Sequence, residues 1–292
     1  MIDRPAHLSR RTLLLGAIAI PPLAALLAAC GDPKVDQSDS TADTSDPGTG
    51  IEHPTGATDA VIRITYEGGY VPAGFAFVNT PSLIVSGDGK AYTPGVMTME
   101  FPGPLVAPIT VRTITEEGVQ TLLQLASTAG LLATPPEYPR NDMIADAPDT
   151  VVTIQAGGST YVHRAYALGI DANETDPARK ALADFVTAAS DLPGTVGAAA
   201  LGPETTLEPM AYRFQAMPTT EADLAGIDPK PTITEWPEST GVDLGTAASC
   251  ASALAEAVGP TFTAADSNTV FAQGEVLYRL AVAPVLPGDP PC

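Results

Sequence analysis

The chain predicts an α+β fold: antiparallel β-hairpins with helices packed on one face, arranged in two subdomains. Three observations lead there. Runs of period two, rich in β-branched residues, twice flank a glycine turn and are twice followed by an apolar stripe of helical period. Beyond residue 200 a looser set of strands, one helix and a closing strand echoes that order. The folded part, from about residue 58 to 292, is long enough to bury one large core or two small ones.

Residues 60–66 (AVIRITY) alternate and form the first expected strand, ended by Glu67-Gly68-Gly69. Residues 82–86 and 90–93 flank Gly87-Asp88-Gly89, whose glycines reach positive φ at little cost, so they form a hairpin. Residues 109–114 are a further strand. The period then changes. Thr115 followed by Glu116-Glu117 is a cap with acids at the positive end of a helix. Val119, Leu122, Leu123 and Ala126 give that helix one apolar stripe, and Gly130 ends it.

A second hairpin pairs residues 149–154 with 160–166 across Gly157-Gly158. Asp176-Pro177 opens the second helix, with proline at its favoured first position. Its stripe is Ala178, Ala181, Leu182, Phe185, Val186 and Ala189. Residues 210–217, 232–236 and 276–285 are the strands expected in the second subdomain. The alanine-rich segment 246–258 is expected as a helix with Cys250 and Leu254 on one face. The resulting division is a leader over 1–29, a tether over 30–57, and subdomains over 58–200 and 201–292.

The leader carries the most specific signal. Arg10-Arg11 precedes the uncharged run 12–29, which ends in Leu27-Ala28-Ala29 directly before Cys30. A basic start, an apolar stretch and small residues before a cleavage point describe an export signal. The competing reading is a membrane span, but Pro21-Pro22 lies mid-run and breaks a helix. Paired arginines after Ser9 resemble the twin-arginine signal for folded export. A cysteine after Leu-Ala-Ala is a lipobox, so Cys30 is expected to be acylated and to become the mature N-terminus. More than one acyl chain is needed for a stable anchor. The acidic, Ser/Thr/Gly/Pro-rich segment after it cannot bury enough surface to order itself, and its length implies a reach of roughly 25–30 Å. These features predict a protein on the outer face of the cytoplasmic membrane.

The whole chain carries a formal charge of −20. Loss of residues 1–29 removes Arg4, Arg10 and Arg11 but only Asp3, which brings it to −22. Such a surface repels nucleic acid and anionic lipid headgroups. With Cys30 committed to lipid, Cys250 and Cys292 remain, an even pair suited to a disulfide outside the cell.

Several segments then fit a common pattern. Tyr66-Glu67-Gly68-Gly69-Tyr70, Ser86-Gly87-Asp88-Gly89, Thr115-Glu116-Glu117-Gly118-Val119, Tyr166-Ala167-Leu168-Gly169 and the closing Pro284-Val285-Leu286-Pro287 with Cys292 resemble an uncharacterised family of exported actinobacterial lipoproteins. The resemblance covers most of the chain after the tether. The first two hairpin–helix units are also similar to a small bacterial domain of unknown function. Neither resemblance implies an activity, a cofactor or a catalytic residue.

The residues themselves offer little chemistry. Nucleophilic catalysis needs a histidine base; after the leader there are only His53, in the tether, and His163, on a strand beside Tyr161 and Ala165. Neither Gly-x-Ser-x-Gly nor Ser-x-x-Lys occurs. Two histidines and two distant cysteines do not make a zinc site. Asp171, Asn173 and Asp176 share a loop but lack the EF-hand glycine and glutamate, and Asp176 serves better as a helix cap. Glu116-Glu117 diverge by about 100° on a helix, unlike the converging carboxylates of a glycosidase. Gly68-Gly69 and Gly157-Gly158 are not phosphate loops. Tyr66, Tyr70, Tyr92 and Trp236 are either packing aromatics or the wall of a ligand groove.

No catalytic residue, metal or cofactor is therefore expected. The leading reading is a non-catalytic, membrane-anchored lipoprotein that binds an envelope protein or polymer. A small-molecule binding lipoprotein and a carboxylate-based or metal-assisted envelope hydrolase are the alternatives. A deep pocket with three or more carboxylates would favour the hydrolase, and an apolar cavity the small-molecule binder.

Overall fold

A computed structural model describes residues 50–72, 74–140, 144–170 and 175–292. Arg10, Arg11, Leu27, Ala28, Ala29 and Cys30 lie outside the described residues. In chain order the elements are β1 (Ala60–Glu67), α1 (Phe75–Val78), β2 (Leu83–Ser86), β3 (Lys90–Pro94), β4 (Ile109–Thr113), α2 (Glu116–Thr128), β5 (Asp149–Ala156), β6 (Ser159–Tyr166), α3 (Pro177–Ser190), α4 (Leu192–Val196), β7 (Thr205–Thr206), β8 (Ala211–Thr219), α5 (Glu221–Leu224), β9 (Thr232–Glu235), β10 (Ala251–Leu254), α6 (Ala255–Thr263), β11 (Thr269–Gln273) and β12 (Val276–Pro284). No described helix is long and apolar enough to cross a membrane.

The fold is α+β, as the hairpin–helix order predicts. Seven strands form one sheet in the order β6-β5-β1-β2-β3-β4-β7, antiparallel throughout. Five form the other, β10-β8-β12-β11-β9, in which β9 and β11 alone run parallel. Helices α2 and α3 lie on one face of the larger sheet. Val119, Leu122, Leu123 and Ala126 from α2 join Leu182, Phe185, Val186 and Ala189 from α3 over Ile62, Ile64, Leu83 and Val85. Both predicted caps form: the Thr115 hydroxyl accepts from Gly118 N, and the Asp176 carboxylate from Arg179 N.

The opposite face of this sheet has a smaller cluster, Ala60, Ile84, Tyr92 and Ile109, closed by Leu286 from the C-terminal tail. In the smaller sheet Phe214, Phe271 and Trp236 pack with Phe262 of α6 in a network of aromatic contacts. The two sheets each have their own core and belong to one compact unit. Chain segments cross their border in both directions. Leu105 and Val106 pack on the smaller core, β7 pairs with β4, and the tail after β12 returns to the larger sheet.

Two expectations need correction, and one strand was not expected. Residues 246–258 are not one helix: Leu244–Thr246 is a 3-10 turn, Ala251–Leu254 is a strand, and the helix starts only at Ala255. The edge of β8 supplies a hydrogen-bonding partner that overrides the weak helical preference of Ala and Ser. Cys250 thus stands before a strand, not on a helix.

The tether also ends earlier than residue 57. Ile51 exchanges backbone hydrogen bonds with the Gln120 side chain, and Gly157 N donates to Glu52 O. A Cβ at Gly87 would stand 2.6 Å from Pro54 O, so the chain is seated directly on the β2–β3 turn. Finally, β11 went unpredicted because Val270, Phe271 and Ala272 are all buried, giving a continuous apolar run without alternation.

Candidate functional site

The antiparallel ladders sort the loops of the larger sheet into two ends. The β2–β3 and β5–β6 turns share one end with residues 50–58: Gly87 N donates to Asp59 O, and Gly157 N to Glu52 O. At the other end, Glu67 pairs with Asp149, Asp149 with Tyr166, and Pro94 with Ile109. The segments that follow Glu67, Pro94 and Tyr166 all leave from there. So does residue 207 onward, because Leu207 N donates to Ile109 O at the end of β7.

This second end is an apolar rim. Tyr70, Phe75, Val96, Met99, Phe101 and Met210 are exposed on it, Val96 and Met99 almost completely. Large apolar side chains gathered at one end of a sheet mark an interaction surface more than scattered ones do.

Behind the rim, where β1, α1 and β8 meet, lies a cleft of about 380 Å³. Tyr66, Val71 and Phe75 form its apolar wall, and Arg63 and Arg213 its polar one. Arg63 is on the face of β1 turned away from α2 and α3. Its Nη1 donates to Pro287 O (3.0 Å) and its Nη2 to Asp289 Oδ1 (2.8 Å). Arg213 reaches the same carboxylate from β8, with Nε 3.6 Å from Oδ2. Its Nη2 donates to Phe77 O, and its guanidinium lies over the Phe77 ring. The Asp289 side chain is 2% exposed and also accepts from Leu286 N, so it is enclosed and satisfied. The Arg213 Nε is buried without a hydrogen-bond partner.

A second cavity of about 240 Å³ lies between the sheets, lined by Val106, Ile109, Leu207, Tyr212 and Phe262. Its walls are apolar and present no charged group. Among the described residues no three His, Cys, Asp or Glu side chains are grouped closely enough to hold a metal ion.

The sequence-selected residues are dispersed. His163 is fully buried, its Nδ1 2.7 Å from the Tyr138 hydroxyl and its Nε2 2.9 Å from Leu131 O. A carbonyl only accepts, so Nε2 carries the proton and Nδ1 accepts from Tyr138. Burial lowers the His163 pKa, the bond to Leu131 opposing it; burial and the Asp176 charge push the Tyr138 hydroxyl up to about 12. This is a neutral packing pair. Glu116, in the first turn of α2, bonds Gln120 and His53; burial raises its pKa, but those bonds outweigh it and leave the carboxyl below its usual range.

Asp171 and Asn173 lie outside the described residues, and Asp176 caps α3. Of the four aromatics, Tyr66 lines the cleft and Tyr70 stands on the rim, while Tyr92 and Trp236 are buried in separate clusters. Cys250 and Cys292 are within disulfide distance, with Cα atoms 5.1 Å apart.

Arg63, Arg213 and Asp289 were not among the residues the sequence singled out. The available signal was a lone arginine inside each of two apolar strands, Ile62-Arg63-Ile64 and Tyr212-Arg213-Phe214. Asp289 is 226 residues from Arg63, and nothing local links them. Comparison with protein-family models, with curated proteins and with solved structures finds no match.

Proposed function

We propose that this is a membrane-anchored, extracytoplasmic lipoprotein with a non-catalytic binding role, held through acylated Cys30 and presenting its apolar rim to an envelope protein or polymer. The observation that carries the reading is the gathering of exposed apolar side chains at one end of the larger sheet. The chain enters the fold at the opposite end, through residues 50–58.

The test is position-specific photo-crosslinking in intact cells. A photoreactive residue at Met99 or Tyr70 should give discrete adducts, and one at Thr160, beside the opposite turn, should give none. Equal labelling from both ends, or none from the rim, overturns the reading. Mass spectrometry of the mature protein tests the anchor separately: acyl mass on Cys30 is expected, and an unmodified cysteine rejects it.

A further inference from the structure

We propose that the cavity between the two sheets binds a small uncharged molecule with an apolar body and one carbonyl oxygen, which accepts from the Tyr212 hydroxyl. This inference stands apart from the lipid anchor and from whatever occupies the rim.

The walls select against charge. Among the described residues that line the cavity there is no Asp, Glu, Lys, Arg or His. An ionic group entering would give up its hydration with no counter-charge to meet, which is costly. Pro104, Pro108, Pro209 and Pro284 also line it and bring no N–H to the walls. Three lining side chains carry a hydroxyl. Thr206 and Thr263 belong to exposed residues, whereas Tyr212 is 7% exposed.

A buried tyrosine hydroxyl ordinarily has a partner, and this one makes no hydrogen bond among the described residues. Its oxygen is not sealed by protein, so it opens toward the cavity that Tyr212 lines. Burial holds its pKa above the ordinary value, and the neutral phenol keeps an O–H to donate. One buried hydroxyl is fewer than the two to four polar partners that an ordered water needs. A ligand carbonyl therefore meets an unused donor and displaces poorly held water. The frame is set in advance: Leu105 N donates to Ala265 O, Pro104 bridges to Asp266, Leu207 N donates to Ile109 O, and Tyr212 packs edge-on against Phe262. Little ordering is left for the binding step. In proportion to a 150 Å³ cavity that takes benzene, about 240 Å³ has room for about ten non-hydrogen atoms, less than a membrane acyl chain needs.

Three compounds of one skeleton test this: 1-indanone carries a carbonyl, indane no polar group, and 1-aminoindane an ammonium group. Their binding to the purified mature protein is measured by titration calorimetry and by NMR of the Val106, Ile109 and Leu207 methyl groups. The ketone is expected to bind at least fivefold more tightly than indane and to shift all three methyl signals. The amine is expected to give no saturable shift.

Tyr212→Phe removes an oxygen that bonds no other described residue, so the variant should fold and should bind the ketone no more tightly than indane. Ala107→Leu, which fills the cavity from a half-buried position, should weaken both ligands at least tenfold. Equal binding of ketone and indane, binding of the amine as tight as that of the ketone, or no ketone binding at millimolar concentration overturns the proposal even if Tyr212→Phe fails to fold. So does a folded Tyr212→Phe that keeps the fivefold preference.

Discussion

At the scale of the residue, buried polar groups are the informative ones, because each must find a partner inside the protein. His163 and Tyr138 satisfy one another, and His163 also donates to Leu131 O. Arg179, 4% exposed, donates to Pro139 O and Tyr166 O and thereby ties α3 to the segment before β5 and to the end of β6. The lowered pKa of His163 has a consequence for stability. In the unfolded chain the imidazole takes a proton near its ordinary value of 6.5, while in the fold it does so only at lower pH. Between those values the unfolded state binds more protons, so stability rises with pH through that window and is lost as pH falls from 6.5. His163→Phe is expected to flatten the dependence of melting temperature on pH in this range. It should also cost about 2–3 kcal/mol at pH 8, because Tyr138 and Leu131 lose their partner. An unchanged pH slope would show that other groups set the acid sensitivity.

At the scale of the element, α2 and α3 form because cap, stripe and terminator agree, and each stripe finds the same face of the larger sheet. Leu122 is fully buried there, so Leu122→Ala should lower unfolding free energy by about 2–5 kcal/mol in denaturant titration. Thr115→Ala removes only the cap to Gly118 N and should cost about 1 kcal/mol. A cap effect as large as the core effect would mean that α2 is held by its end instead of its face. Segment 251–254 shows the opposite balance. Its local preference is helical and weak, and four paired positions on β8 turn it into a strand. Gly118 records how close α2 sits: a Cβ there would lie 2.8 Å from Ile114 Cγ1.

At the scale of the molecule, the C-terminal tail joins the parts. Leu286 closes the outer cluster of the larger sheet, Asp289 pairs with Arg63, and Cys292 reaches Cys250 ahead of β10. The Cys250–Cys292 link closes a loop of 42 residues, for which chain entropy gives a contribution of about 4 kcal/mol. Reductant, or Cys250→Ser, should therefore lower the melting temperature and free the tail, read as faster amide exchange at Leu286 and Asp289. A melting curve indifferent to reductant would deny the link a structural role. The hairpins, both long helices, their caps and the cysteine pair were legible in the sequence, because each depends on spacing within a few turns or on simple parity. The hidden strand β11, the reassigned segment 246–258 and the seated residues 50–57 were not, since each owes its conformation to a partner distant in the chain. The cleft belongs to that second group. One arginine in each of two strands says only that a charge needs company, and the fold alone brings Asp289 between them, because a carboxylate 226 residues away can be found by packing but not by pattern.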